Sequence, residues 1–369
     1  MSFSGFINYQ RALHDCESAL NKVNLHHEEG YMVRFAIFSA NLTNFLPEIP
    51  ISEHADMFRK LLTSLAFESF DRNVLHISDL CSLNGDLSAL ENTSSPSIFC
   101  TFHLGSYRII ANLLLKKGHH FTTIVRKDVY KQQIESMMEY TAKMKQNYGT
   151  KSEVNVVSAE DPNIVLKLLR ELKAGRSLLV YLDGNIGISD EKLEQISFLS
   201  QTIGARKGMA YLSYVAGVPL VPVISYRKPD MSNVLFMGEG IYPDKSIPKE
   251  AYSRGVLQTI FDFFAKYVAN FPEQWEGWNY IHHSLQTDET SLSPPPPSAY
   301  RRLNYQFNER RYSIFDLKES PVLFDKRYYS TYEISDSLRD YLLDSPFINP
   351  KRVLGRPVFQ ELVRQEIII

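Results

Sequence analysis

The 369-residue sequence is poor in cysteine, nearly neutral in charge and without a long hydrophobic run. Its three cysteines, Cys16, Cys81 and Cys100, lie far apart and form no CxxC pair. That spacing argues against a zinc site and a disulfide framework, and it fits a reducing compartment. The 40 basic and 42 acidic side chains leave a formal net charge of −2. No overall positive field is therefore available to hold a nucleic acid.

Signals for export and membrane insertion are also missing. The N-terminus has no basic start, apolar middle or small-residue cleavage site of a signal peptide. The most apolar early stretch, residues 31–46, is interrupted by Arg34, Asn41 and Asn44 and is too short to span a bilayer. We therefore expect a buried helix at 31–46 and a cytoplasmic protein, with peripheral contact to the inner membrane left open.

Strands alternate with helices in the middle of the chain. Apolar runs predict strands at 97–104, 120–126, 154–158, 177–183 and 218–227. Amphipathic patterns predict helices at 106–118, 129–149, 162–175, 207–217 and 254–275. This alternation favours an α/β fold with a mostly parallel sheet flanked by helices.

Composition also predicts the domain boundaries. We expect an α/β domain at 1–290 whose first part, 1–90, is helical, and a proline-rich linker at 291–299. Residues 300–369 alternate like short antiparallel strands and add small helices, which predicts a small C-terminal α+β module. That module is either a device for docking or substrate recognition, or a flap that packs on the main domain.

His103 is the first candidate for chemistry. It ends the apolar run SIFCTF, and Gly105 after it allows a sharp turn or a close approach of substrate to the backbone. Ligands of open α/β sheets bind where strands end and helices begin. A hydrogen-bonded structural histidine is the alternative that this stretch leaves open.

Five segments, read in order, resemble the LpxL/HtrB-like lysophospholipid acyltransferase family, which includes the late acyltransferases of lipid A synthesis. They are FHLGSYR, TIVRKDVYKQQIESMMEYTAKMKQNYG, VYLDGNIG, FLSQTIGARKGMAYLSYVAGVPLVPVISYR and NFPEQWEGWNYIHH, within about residues 95–285. The resemblance implies an acyltransferase that uses an acyl-CoA or acyl-carrier-protein thioester, with no other cofactor. The acceptor would be a hydroxyl or amine of a lipid, a small molecule or a peptide.

The first block of that family is a histidine followed, after four residues, by Asp or Glu, with the histidine as general base. His103 matches the histidine, but Arg108 stands at the position of the acid. A cation there cannot accept the imidazole N–H and would lower its proton affinity if close. The motif is therefore incomplete, and a protein that binds acyl groups without catalysis, with Arg108 as an anion contact, is an alternative.

Asp183 in the third block is a candidate for the missing carboxylate. It ends a strand that we expect near the strand of His103, although a cap for the next segment is an equal alternative. Gly184 follows it where many members of the family carry glutamine. Backbone N–H groups near Gly105 and Gly184 are candidates for stabilising a tetrahedral oxyanion.

Two further basic residues are candidates for substrate binding. Arg126 matches the second-block arginine, which the resemblance implies binds a phosphate of a substrate, and a planar guanidinium suits that task. Lys143 is a candidate second contact to the same anion. Exposed cations that face water are the alternative for both. We also predict an apolar tunnel for an acyl chain near His103 and Arg126.

Other notable residues are expected to be structural. Trp275 and Trp278 supply large apolar surfaces to the core, and Cys100 lies in an apolar strand where a thiol is buried and inert. His282 and His283 have no accompanying ligand spacing, so no metal site is expected. A third function left open is a peptide-tailoring acyltransferase that uses residues 300–369 to recognise its acceptor.

Overall fold

The fold is known from a computed structural model that describes residues 3–20, 29–72, 74, 76–184, 193–285, 296–302, 304–344, 346–348 and 350–369. The helices are α1 (Phe3–Leu20), α2 (Glu29–Phe45), α3 (Ile51–Asp71), α4 (Ser88–Glu91), α5 (Ile109–Lys116), α6 (Tyr130–Tyr148), α7 (Ile164–Lys173), α8 (Gly208–Ala216), α9 (Lys249–Asn270), α10 (Asp336–Leu343), α11 (Pro350–Leu354) and α12 (Arg356–Arg364).

The strands are β1 (Cys81–Gly85), β2 (Ile98–Thr101), β3 (Phe121–Val125), β4 (Val154–Ser158), β5 (Ser177–Tyr181), β6 (Leu193–Phe198), β7 (Gln201–Arg206), β8 (Leu220–Arg227), β9 (Asn233–Met237), β10 (Asn304–Tyr305), β11 (Tyr312–Leu317), β12 (Ser320–Asp325), β13 (Ser330–Glu333) and β14 (Phe347–Ile348). Residue contacts divide the chain into two compact units, Met1–Lys22 with Arg59–Leu285 and Val23–Phe58 with Gln286–Ile369.

The first unit is built on a seven-stranded sheet with the strand order β1-β9-β8-β2-β5-β3-β4. Every neighbouring pair is parallel except β8 and β9. Helices pack on this sheet. Strands β6 and β7 form a separate antiparallel hairpin in the same unit. The predicted fold class, a mostly parallel sheet flanked by helices, is confirmed.

The central strand β2 is buried along its whole length because strands and helices surround it. All four of its residues are inaccessible to solvent. Phe99 belongs to a core cluster with Leu113 of α5, Leu179 of β5 and Val221 of β8. Full burial of an aliphatic or aromatic side chain contributes about 1.5–3 kcal/mol. This core holds the end of β2 in place, and the candidate site lies just beyond it.

The predicted helical region at 1–90 is wrong in its last part. Residues Cys81–Gly85 form strand β1 at the edge of the main sheet, paired with β9. The segment CSLNG is short and partly polar because an edge strand is covered only in part, so it has no apolar run to mark it. Strand β9 and the hairpin of β6 and β7 were likewise not predicted.

The second unit combines C-terminal strands and helices with α2. Strands β11, β12 and β13 form an antiparallel sheet, and Ala36 and Ala40 of α2 pack with Phe324 of β12. Residues 23–58, which the sequence placed in the first domain, are thus grouped with the C-terminal residues, because these small side chains let the helix approach the strands. Residues 291–295 of the predicted linker, 291–299, lie outside the described residues. The other boundaries stay predictions.

None of the helices in the described ranges has the length and apolarity needed to cross a membrane. The cytoplasmic location expected from the sequence stays a prediction, and peripheral contact with the inner membrane is left open as before.

Candidate active site

The loop that carries His103 is fixed by backbone hydrogen bonds to the segment after α9. The carbonyl of His103 accepts from the N–H of Glu276 at 2.9 Å, and the N–H of Gly105 donates to the carbonyl of Gln274 at 2.9 Å. Gly105 has φ +56°, and a Cβ there would lie 2.9 Å from the carbonyl oxygen of Ser225. Only glycine allows this turn without displacing the neighbouring strand.

His103 and Asp183 meet because their strands are neighbours in register. Thr101 of β2 pairs with Tyr181 of the parallel strand β5, so the residues two positions beyond each strand emerge side by side. His103 Nδ1 lies 2.8 Å from Oδ1 of Asp183, and the His103 backbone N–H donates to Oδ2 at 2.8 Å. The sequence left open whether Asp183 is a cap or a partner of His103, and the geometry makes it the partner.

The carboxylate of Asp183 is fully buried and bound by several donors. Its side chain is 0% exposed. Besides the two groups of His103, Trp275 donates from Nε1 at 2.9 Å, and the hydroxyl of Tyr280 donates to Oδ2 at 3.5 Å. A buried charge is tolerated when hydrogen bonds replace its hydration. With the carboxylate at Nδ1, the neutral imidazole carries its proton there, and Nε2 is the free base.

Aromatic rings hold the imidazole of His103 on several sides. Tyr181 is stacked on it with ring centres 4.5 Å apart, and Tyr107 meets it edge-on at 4.8 Å. The hydroxyl of Tyr280 lies 3.2 Å from Nδ1. These contacts leave the side chain of His103 23% exposed, so the ring is oriented while one part of it remains accessible.

Opposing influences set the protonation of His103. Burial by itself lowers its pKa, but the charge and hydrogen bond of Asp183, helped by Glu276, raise the pKa above its ordinary value. The Arg108 cation opposes this rise. Burial is the largest single influence, but the charge and hydrogen bond of Asp183, together with the charge of Glu276, outweigh it and stabilise the imidazolium.

Arg108 is held by Glu68 of α3. Its Nη1 lies 2.5 Å from Oε2 of Glu68, and the two side chains are 28% and 8% exposed. The guanidinium also lies over the ring of Tyr107, 4.7 Å from its centre. Burial raises the pKa of Glu68, although Arg108 opposes that shift. Arg108 is therefore part of an ion pair close to His103 without being the partner of the imidazole.

A cavity of about 630 Å³ opens beside His103. Much of its lining is apolar and comes from α5, β3, α6, α7 and β5, including Ala111, Phe121, Val129, Met137, Leu168 and Leu179. His103, Arg108, Arg126 and Arg206 also line it, and within the described residues no carboxylate does. The cavity thus combines an apolar body with cationic groups and a histidine, as expected for a binding site of this size.

The structure brings some of the other predicted residues to this cavity and leaves others elsewhere. Gly184 and Arg126 both line the cavity. The guanidinium of Arg126 is 58% exposed and pairs with Asp128 at 2.8 Å. Lys143 pairs with Glu139 at 2.6 Å and lines a smaller neighbouring cavity, which shares Arg108 with the larger one. Arg126 and Lys143 are therefore not brought together at one anion site.

The N–H of Gly105 itself donates to a backbone carbonyl, and stabilisation of an oxyanion by backbone N–H groups near Gly105 and Gly184 stays a prediction. Cys100 is fully buried and its pKa is raised by burial, as expected of an inert thiol. Within the described ranges, no group of three or more His, Cys, Asp and Glu side chains is placed to hold a metal ion.

Sequence reasoning missed the support that surrounds the histidine. Tyr107, Tyr181 and Tyr280 had no assigned role, and Trp275 was expected only to fill the core. Tyr107 and Tyr280 lie in the segments FHLGSYR and NFPEQWEGWNYIHH, so the resemblance pointed to their neighbourhood. Glu68 lies in a helix outside all five segments, and no local pattern marks it.

No family model matches the sequence, and no curated protein matches it either. Among solved structures, the chain is similar to the crystal structure of the 1-acyl-sn-glycerophosphate (LPA) acyltransferase PlsC from Thermotoga maritima. The identity is 13%, the TM-score is 0.35, and the match covers 65% of this chain and 96% of the other. A similarity of this size does not assign an activity to the chain.

Proposed function

We propose that this protein is an acyltransferase that moves an acyl group from an acyl-CoA or acyl-carrier-protein thioester to a hydroxyl or amine. The observation that carries the proposal is the His103–Asp183 pair, with Nδ1 and Oδ1 2.8 Å apart, at a largely apolar cavity of about 630 Å³. A histidine oriented by a buried carboxylate is a general base, and the apolar lining accommodates an acyl chain.

The proposed reaction uses Nε2 of His103 as base and then as acid. Nε2 takes the proton of the acceptor O–H or N–H while the acceptor oxygen or nitrogen bonds to the thioester carbonyl carbon. The electron pair of the C=O bond moves to the oxygen. When this intermediate collapses, the C–S bond breaks and the leaving thiolate takes the proton from Nε2. Asp183 stabilises the transient imidazolium without taking its proton.

We also propose that the chain is an atypical relative of the LpxL/HtrB-like lysophospholipid acyltransferases. In this interpretation, Asp183 from the neighbouring strand replaces the acid whose position in the first block is occupied by Arg108. The donor supplies its own phosphopantetheine arm, so the protein needs no further cofactor. The acceptor is a lipid, a small molecule or a peptide.

The experiment is release of free thiol from palmitoyl-CoA by the purified protein, with water as the hydroxyl acceptor and palmitate as the second product, together with intact mass measurement of any co-purified acyl ligand. We expect thiol release above the uncatalysed rate. A protein that binds palmitoyl-CoA but releases no thiol would be an acyl-binding protein without the chemistry, and the proposal would be wrong.

A further inference from the structure

The tetrahedral intermediate of the proposed reaction carries a negative oxygen that needs a donor. Three backbone groups next to the base are already used. The N–H groups of His103, Leu104 and Gly105 donate to Asp183, to the carbonyl of Phe102 and to the carbonyl of Gln274, respectively. None of these three N–H groups is available to the substrate oxygen.

Arg108 is a cation whose charge acts on His103. Its guanidinium carbon lies 4.7 Å from the ring centre of Tyr107, and that ring centre lies 4.8 Å from the centre of the His103 imidazole. The cation and the base thus contact the same aromatic ring. Arg108 and His103 also line the same cavity.

Glu68 makes Arg108 a fixed group. The carboxylate is almost buried and contacts Nη1, while the guanidinium lies over the ring of Tyr107. An anchored cation in a site of reduced solvent access stabilises developing charge without reorganising at the moment of reaction. Arg126 differs, because its guanidinium is 58% exposed and pairs with an exposed aspartate.

We propose that Arg108, anchored by Glu68, is a catalytic residue that binds the carbonyl oxygen of the thioester and stabilises the oxyanion. This inference rests on the proposed acyl transfer. It gives a physical reason for the arginine in place of the acid: since Asp183 supplies the carboxylate, position 108 supplies the positive charge. Arg108→Glu then restores nothing and sets a second carboxylate beside Glu68.

The test separates action on the carbonyl from ordinary binding. Thiol release from palmitoyl-CoA is measured for the wild type and Arg108→Ala, together with the Kd of S-hexadecyl-CoA, a thioether that lacks the carbonyl oxygen. We expect kcat to fall by about 10²-fold, with the thioether Kd changed by less than about twofold because the ground-state contacts remain. Arg254→Ala is the matched control, because Arg254 forms an ion pair with Glu194 and does not line the cavity.

Removing Arg108 alone leaves a nearly buried carboxylate without its partner, which is strongly destabilising. The double variant Arg108→Met with Glu68→Gln removes that charge as well, and we expect the same loss of kcat in a folded protein. Full kcat in either folded variant overturns the role of Arg108 and leaves the proposed function intact. A parallel loss of kcat and of affinity for the thioether does the same. A wild type without thiol release overturns the proposed function and this inference together.

Discussion

The carboxylate of Asp183 controls the protonation of His103, which is the property that a base depends on. Because Asp183 raises the pKa of His103, the neutral imidazole that accepts a proton forms at a higher pH than in an ordinary histidine. Activity should therefore rise with pH through this elevated pKa, and the acidic limb of kcat/KM should report it.

Asp183→Asn keeps the shape of the side chain and removes its charge. We expect the acidic limb to move to lower pH, since the main influence raising the pKa is lost, while the maximal rate falls by about 10²-fold or more through loss of orientation. The measurement is the pH profile of kcat/KM for thiol release from palmitoyl-CoA. An unchanged acidic limb in the variant would contradict the pairing.

At the scale of elements, the site depends on the turn between β2 and α5. Gly105→Ala adds a Cβ 2.9 Å from a backbone oxygen of β8, at φ +56°. The left-handed conformation alone costs about 1–2 kcal/mol, and the contact adds to it. Gly149→Ala is the matched control, because Gly149 has φ +65° and nothing lies within 4 Å of its Cβ position.

We expect Gly105→Ala to lower both Tm and thiol release, and Gly149→Ala to lower Tm only. Thermal unfolding and turnover at one temperature check this. Equal effects of the two substitutions on turnover would show that the turn does not position His103.

The elements also show what the sequence could and could not predict. Strand β2 and its neighbours were predictable because buried parallel strands are continuous apolar runs. The proximity of Asp183 to His103 could be suspected from the strand ends, but the register of β2 and β5 decides it. Glu68 was not predictable, because its contact with Arg108 depends on how α3 packs and leaves no pattern in either segment.

At the scale of the whole molecule, the second unit contains more than the C-terminal residues. Ala36 and Ala40 of α2 pack with Phe324, so a chain ending at Pro294 exposes this face of the helix. We expect the truncated protein to bind more of a hydrophobic dye and to unfold at lower temperature than the full chain.

The full-length variant Phe324→Ala serves as the comparison. It removes one ring from the same contact, and loss of a buried phenylalanine costs about 3–5 kcal/mol. We expect it to lower Tm in the same direction as the truncation. A truncated protein with the Tm and dye binding of the full chain would show that α2 does not need its C-terminal partners.

Replacement of His103 tests the central claim most directly. Thiol release from palmitoyl-CoA is compared in the wild type, in His103→Ala and in His120→Ala, which removes an exposed histidine of the same unit. Circular dichroism first checks that all three proteins are folded. We then expect the activity of His103→Ala to be lower by about 10²-fold or more and that of His120→Ala to be unchanged. Full activity in His103→Ala would contradict the assignment of His103 as the base.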